Sequence, residues 1–420
     1  MKRRVVVTGL GALTPLGNSV NQTWESAVTG KSGIGPITKF DSSSYKSQIA
    51  GEIKNFDPAQ FVNKQEIRRY DDFILYAIAS SEMAMADAKL TIGPELSERT
   101  GVIIGSAIGG LATIEEEIEL LLNHNNPRKI PTFMVPAILA NSASGNVSIR
   151  FGAKGPINCA VTACAAGTSA IGDAYKTIVY GDADIMITGG VEAAITRMAV
   201  GGFSAMRALS QRNDEPQKAS RPFDKDRDGF VIAEGCGIII LEELSVALNR
   251  GARIYAELVG YGCTSDAYHV AAPPPGHEGA ARSMRIAIKE AGLNPEDIDY
   301  INAHGTSTPL NDLYETQAIN FLFGEHVKKL MVSSTKSMTG HMLGATGGVE
   351  AIFAVKSLHE NIIPPTINLD NPGEECNLDY VPNVSRRKEI NTAMSNTFGF
   401  GGVNAVLLFK KYSESPVSEE

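Results

Sequence analysis

Short β-branched runs closed by Gly-rich turns alternate along the chain with longer stretches of helical period. Residues 4–8 enter such a turn and predict a buried strand. Residues 73–89 are helical in period, residues 101–104 predict the next strand, and residues 113–122 a helix whose acidic first turn suits its dipole. Strands follow at 157–161, 183–188 and 236–241, with a helix over 164–180 between the first two. The alternation then restarts, with strands at 255–259, 300–303 and 331–334 and helices at 279–290, 312–321 and 347–358. Strands at 392–396 and 405–409 close the chain. Such alternation predicts parallel sheets covered by helices.

An internal echo points toward a duplication. Gly189-Gly190-Val191-Glu192-Ala193 is answered by Gly401-Gly402-Val403-Asn404-Ala405, and a strand–turn–helix around Cys164 by one around His341. Short Gly-rich matches also arise by chance, so the echo alone only suggests it. Residues 413–420 are polar, carry Pro416 and are expected to be a disordered tail.

Composition narrows the class. A chain of 420 residues has room for two or three ordinary domains or one large intertwined unit. Its 43% hydrophobic and 20% charged content suit a globular protein with a large core. A net charge of −9 argues against general nucleic-acid binding but leaves an acidic partner free to dock on a local basic patch. Five cysteines without a C-x-x-C pair make neither a disulfide framework nor a zinc site, so a reducing cytoplasm is expected. Lys2-Arg3-Arg4 before Val5-Val6-Val7 imitates a signal peptide, but Thr8, Gly9, Gly11 and Thr14-Pro15 break the apolar run. No segment approaches the roughly 18 apolar residues of a membrane helix. A soluble protein is expected.

Two motif matches fail. Gly9-Leu10-Gly11 follows a strand as a dinucleotide loop would, but Thr14 replaces the third glycine. Asp224, Asp226, Asp228 and Gly229 begin a calcium loop whose closing glutamate position holds Gly235. The plainer reading is a loop of arginine, acids and glycine that shapes part of a site.

Cys164 sits where a predicted buried strand turns into a helix of small residues. Unpaired N–H groups and the positive dipole end there favour a thiolate, and small neighbours let a substrate carbonyl approach backbone amides. A free cysteine is more commonly a small core residue, so this segment alone leaves both readings open. His304, in Asn302–Pro309 (NAHGTSTP), and His341, in Ser334–Gly344 (STKSMTGHMLG), each lie just past a predicted strand. Ligands bind beyond the carboxyl ends of parallel strands, so the three residues can converge on one site. His124, His269, His277, His326 and His359 lack such settings and are expected to be solvated or local.

With Thr162-Ala163-Cys164, Arg221–Gly229 (RPFDKDRDG) and Asn396–Gly402 (NTFGFGG), these segments resemble the β-ketoacyl-(acyl carrier protein) synthases. The resemblance is specifically to the type II elongating enzymes of bacterial fatty acid synthesis, over nearly the whole chain. Ala165-Ala166 departs from the Ser or Thr often found after the cysteine, without threatening the chemistry. The resemblance implies a thiolase-like α/β fold: two duplicated halves in a five-layer αβαβα arrangement, usually as a homodimer. We divide the chain accordingly into residues 1–251, carrying the cysteine, residues 252–412, carrying both histidines, and the tail 413–420.

The resemblance also implies ping-pong chemistry. Cys164 takes an acyl chain from the phosphopantetheine arm of an acyl carrier protein. Malonyl-carrier then loses carbon dioxide, and its carbanion attacks the acyl-cysteine. Phosphopantetheine travels on the carrier, so no resident cofactor or metal is expected. His304 and His341 would act as neutral N–H donors to the thioester oxygen, and the backbone N–H groups of Cys164 and Phe400 would hold the acyl oxyanion. By the same resemblance Lys336 and Glu350 orient the histidines, Phe400 gates access, and Thr306 and Thr308 bind the pantetheine amides. Asp312 and Glu315 are supporting acids or a solvated helix start. Ile108 and Phe133 line the acyl pocket, with Ile108 leaving room for long chains. Arg68, Arg69, Arg128, Lys129 and Arg207 are candidates for the patch that meets the carrier.

Rival readings differ in their residues. A priming synthase of this fold would use Cys-His-Asn, and a thiolase a second cysteine. A chain-length factor would lack the nucleophile, and a Cys-His hydrolase would not need two strand-end histidines. A stand-alone polyketide ketosynthase shares all three residues and stays open.

Overall fold

The structure, a computed structural model, describes residues 3–413. Residues 414–420 of the expected tail lie outside the described residues. Ten strands form one sheet: β1 (Val5–Leu13), β2 (Thr100–Gly105), β3 (Ile157–Asn158), β4 (Ile185–Glu192), β5 (Gly235–Glu243), β6 (Ala256–Ser265), β7 (Tyr300–Asn302), β8 (Met331–Ser333), β9 (Thr392–Gly399) and β10 (Val403–Lys410). Their spatial order is β8-β7-β9-β10-β6-β1-β5-β4-β2-β3. Counted within its own half from the outer edge inward, each group of five runs 3-2-4-5-1. The two halves meet first strand to first strand, where Val5–Val7 pair antiparallel with residues 256–258. The repeated order makes the duplication a fact of topology.

Strand direction corrects the expectation of parallel sheets. β2 is parallel to β3 and β4, and β7 to β8 and β9, but β1, β5, β6 and β10 pair antiparallel. No helix separates β9 from β10. Gly401 and Gly402 take φ of +85° and +76° between them, giving a tight hairpin that needs no crossover.

Six helices build the layers: α1 (Asp72–Asp87), α2 (Ser142–Phe151), α3 (Ala166–Val179), α4 (Glu278–Glu290), α5 (Pro309–Phe323) and α6 (Thr346–Glu360). α3 and α6 pack on each other and on strands of both halves, whereas α1 and α2 cover the first half outside and α4 and α5 the second. The result is five layers, with α3 and α6 in the middle. Residues 346–358 of α6 are all buried, as a helix covered on every side requires. Glycines allow that contact: a Cβ on Gly347 would meet Thr168 N at 2.3 Å.

Two local expectations are also corrected. The strand expected over 157–161 shrinks to Ile157–Asn158, and Ile157 and Val161 are exposed because β3 is the sheet's open edge. Cys164 lies not in the helix but on a 3-10 turn, Ala163–Ala165, that precedes it. This turn is matched by Leu343–Ala345 before α6, and Ala163 and Leu343 share left-handed φ of +49° and +47°. The echo around Cys164 and His341 is therefore the duplication itself. The Gly-Gly echo is not: Gly189–Glu192 end the fourth strand of their half, whereas Gly401-Gly402 form the hairpin before the fifth strand of theirs, which Val403–Ala405 open. Among the described residues, no helix is long and apolar enough to cross a membrane.

Candidate active site

A cavity of about 410 Å³ opens where the strand ends of the two halves meet, and Cys164, His304, His341, Thr306, Thr308 and Phe400 all line it. The strained turn at Ala163 lifts Cys164 out of the strand path and aims it into this space. Burial pushes the thiol up to about 12, against the opposing effects of Lys336 and of the Phe400 and Cys164 backbone N–H groups, which donate toward its sulfur. Burial thus outweighs the helix end that favoured a thiolate. Those two amides, the pair expected to hold the acyl oxyanion, thus converge on one atom, the Cys164 sulfur. Gly399 makes this approach possible, since a Cβ there would lie 2.7 Å from Thr162 O and 3.4 Å from Cys164 N.

His304 and His341 face each other nearly at right angles, with ring centroids 5.4 Å apart. Glu315 on α5 fixes the first turn, accepting the backbone N–H of His304 at 2.9 Å and of Gly305 at 2.8 Å. His341 Nδ1 lies 3.1 Å from Thr346 Oγ1, the first residue of α6. Burial, with Lys336 as the next cause, holds both imidazoles well below their ordinary pKa, so both are neutral. A neutral imidazole donates from one ring nitrogen and accepts at the other.

Lys336 Nζ donates to Glu350 Oε1 below the histidines, and burial pushes the Glu350 carboxyl up to about 7. Its second oxygen, Oε2, is buried without a hydrogen-bond partner, as are Asn302 Oδ1, Ser395 Oγ and Asn396 Oδ1. Asn302 and Ser395 are register partners on β7 and β9. Among the described residues, no group of three or more His, Cys, Asp or Glu side chains is placed to hold a metal.

Thr306 and Thr308 hydroxyls lie 3.0 Å apart along the cavity wall. Asp312 is fully buried rather than solvated, accepting the backbone N–H of Phe223 and Ser307 at 2.9 and 3.1 Å. The Asp224 loop is built as the plainer reading held. Arg221 donates to Asp224 Oδ1 at 3.0 Å, and Asp224 Oδ2 accepts the N–H of Asp370 and Asn371. Ile108 packs in the apolar cluster behind Cys164. Phe133 is not brought there within this chain: it is exposed, and the Arg69 guanidinium sits 4.3 Å over its ring. Arg68, Arg128 and Lys129 are exposed, and Arg207, also exposed, stands at the cavity mouth.

Two residues escaped the sequence reading. His277, expected to be solvated or local, is 1% exposed, lines the cavity, and pairs with Asn404 at 2.9 Å and with Asp266 at 3.5 Å. It comes from a loop, so no strand-end pattern marks it. Glu192 is wholly buried and accepts from Ser106, Ala107, Ile108 and Gly344. Its signal was present, a charged residue ending an otherwise apolar strand.

Family models place residues 2–247 in the β-ketoacyl synthase N-terminal domain and residues 255–370 in its C-terminal domain. The chain is 54% identical to the 3-oxoacyl-(acyl-carrier-protein) synthase 2 of Synechocystis sp. and 53% identical to that of Staphylococcus aureus, each over 98% of this chain and 99% of the relative. Among solved structures, a β-ketoacyl synthase from Burkholderia phymatum superposes with a TM-score of 0.91 at 35% identity, covering 98% of this chain and all of that one. A type II polyketide ketosynthase solved in complex with its acyl-carrier protein superposes with a TM-score of 0.91 at 37% identity and the same coverage.

Proposed function

The chain belongs to the β-ketoacyl synthase family, and from that premise we propose how its site performs decarboxylative condensation. It is an acyltransferase that elongates fatty acids by joining an acyl thioester to malonyl-(acyl carrier protein). The polyketide alternative is less well supported, since identity to the polyketide ketosynthase is 37% against 54% for the fatty-acid relative.

In the first half-reaction the Cys164 sulfur bonds to the acyl carbon, the bond to pantetheine breaks, and the thiol proton ends on the departing pantetheine sulfur. Charge on the acyl oxygen is met by the N–H groups of Cys164 and Phe400. In the second, the malonyl carboxylate leaves as carbon dioxide and its electron pair becomes an enolate held by the neutral rings of His304 and His341. In this scheme the His341 proton sits on Nε2, which leaves Nδ1 to accept from Thr346 Oγ1 at 3.1 Å. The enolate carbon attacks the acyl-cysteine, Cys164 is expelled and takes up one proton, and the lengthened chain leaves on the carrier. Thr306 and Thr308 bind the pantetheine arm, and Arg68, Arg69, Arg128, Lys129 and Arg207 receive the acidic carrier. The observation that carries the reading is the convergence of one cysteine and two neutral histidines on one cavity.

Supporting a homodimer, the apolar Ile157 and Val161 are exposed at the open edge of β3. The division at residue 252 follows the repeat of strand order. Five cysteines without a disulfide suit the cytoplasm. Intact mass after incubation with dodecanoyl-carrier tests the chemistry. An acyl adduct on the wild type but not on Cys164→Ala, discharged as β-ketoacyl product by malonyl-carrier, is expected. A wild type without an adduct removes Cys164 as nucleophile.

A further inference from the structure

Glu192 ends β4 as a carboxylate with no exposed surface. Its Oε2 accepts the backbone N–H of Ala107 at 2.8 Å and of Gly344 at 3.0 Å. Its Oε1 accepts from Ser106 Oγ at 3.1 Å and from the Ile108 N–H at 3.3 Å. One side chain therefore ties two elements from different halves: the turn that carries Ile108 and the turn that follows His341. The contact is tight, since a Cβ on Gly344 would meet Ala107 N at 2.4 Å and Glu192 Oε2 at 2.6 Å.

Among the described residues, no hydrogen bond or ion pair joins Glu192 to a cation, and its negative charge works against a thiolate at Cys164. A neutral glutamine would burden the nucleophile less. What glutamine lacks is four acceptor positions: in either orientation its amide nitrogen would face at least one backbone N–H, those of Ala107 and Gly344 or that of Ile108. The carboxylate is thus suited to a geometric task rather than to activation of the thiol. Ile108 and Leu343, the side chains on these two turns, pack in the same apolar cluster as Cys164.

We propose that Glu192 is a positioning residue that sets acyl-chain selectivity, by holding the Ile108 turn against the Gly344 turn and so fixing the wall of the acyl chamber behind Cys164. The proposal rests on the condensing reading above. The wall contacts the acyl tail and not the malonyl group, so loosening it flattens the dependence of acylation on chain length and spares decarboxylation.

The test compares wild type with Glu192→Gln. Rates of Cys164 acylation are read by intact mass with hexanoyl-, dodecanoyl- and hexadecanoyl-carrier, and malonyl-carrier decarboxylation is measured in parallel. The ratio between the best and worst chain should shrink about fivefold or more, with decarboxylation within about twofold of wild type. Ser106→Ala, which removes a single donor to Oε1, should shrink the ratio in the same direction by about twofold and covers the case in which Glu192→Gln fails to fold. An unchanged ratio in a folded variant, or equal loss for every chain and for decarboxylation, would overturn the proposal. A wild type that forms no adduct at all would instead sink the condensing reading.

Discussion

Lys336 and Glu350 form an ion pair of 2.5 Å in which each side chain is only 1% exposed. Breaking a buried pair leaves one charge uncompensated, at about 3–5 kcal/mol, whereas replacing both members by apolar groups is often close to neutral. Glu350→Leu should therefore lower stability in urea by about that amount, and Lys336→Met with Glu350→Leu should recover most of it. Activity should part from stability. Lys336 helps to hold His304 and His341 below their ordinary pKa. Without the cation both values rise, so more imidazole is protonated at a given acidic pH. The acid limb of malonyl decarboxylation should move to higher pH in the folded double variant; an unmoved limb would deny Lys336 this electrostatic role.

Cys164 should be a slow nucleophile in the empty enzyme. With the thiol pushed up to about 12 by burial, its thiolate fraction rises about tenfold per pH unit across pH 7–9. Iodoacetamide labelling of the Cys164 peptide should follow that slope, while the exposed Cys263 serves as an internal reference. A rate that levels off near pH 7 would mean that the helix end and Lys336 overcome burial.

The legible parts of this fold were those set by local rules. The strand ends before His304 and His341 could be placed because β-branched runs stop at Gly and Thr. The turn at Cys164 was legible as a small-residue helix start, but its 3-10 geometry was not, because a left-handed Ala163 runs against the residue's own propensity. Strand direction was misread where alternation was extrapolated across a hairpin at Gly401-Gly402. His277 and Glu192 depend on residues distant in the chain, Asn404 from the same half in one case and Gly344 from the opposite half in the other. Spacing along the chain carries no such information.

The edge strand β3 makes a prediction about assembly. Ile157 and Val161 are 53% and 58% exposed, and an uncovered apolar sheet edge is a template for pairing. Val161→Glu with Ile157→Lys places charge there and should shift sedimentation from dimer to monomer, with far-UV dichroism unchanged. A wild type that sediments as a monomer would refute the assignment of this edge to a second copy.

Arg207 is exposed at the cavity mouth, where a carrier delivering its arm would bring acidic residues. Arg207→Glu should raise KM for acyl-carrier about tenfold or more, since a like charge replaces an attractive one, with kcat largely kept. The same acyl group on free pantetheine has no acidic face and should show no such change. Equal loss on both substrates would place Arg207 in the pocket rather than in docking.

Gly399 offers the sharpest separation of backbone from side chain. A methyl group there would press on Thr162 O at 2.7 Å, so β9 must retreat from the Cys164 turn. That movement draws the Phe400 N–H away from the sulfur it now approaches while leaving the Phe400 ring in place as a hydrophobic group. Loss of one oxyanion donor costs about 10²–10³ in rate. Gly399→Ala should therefore slow acylation of Cys164 by about that factor, whereas Phe400→Ala, which keeps its N–H, should retain the oxyanion contribution. Single-turnover acylation read by intact mass distinguishes the two. If Phe400→Ala proves the more damaging, the ring rather than the amide governs the step.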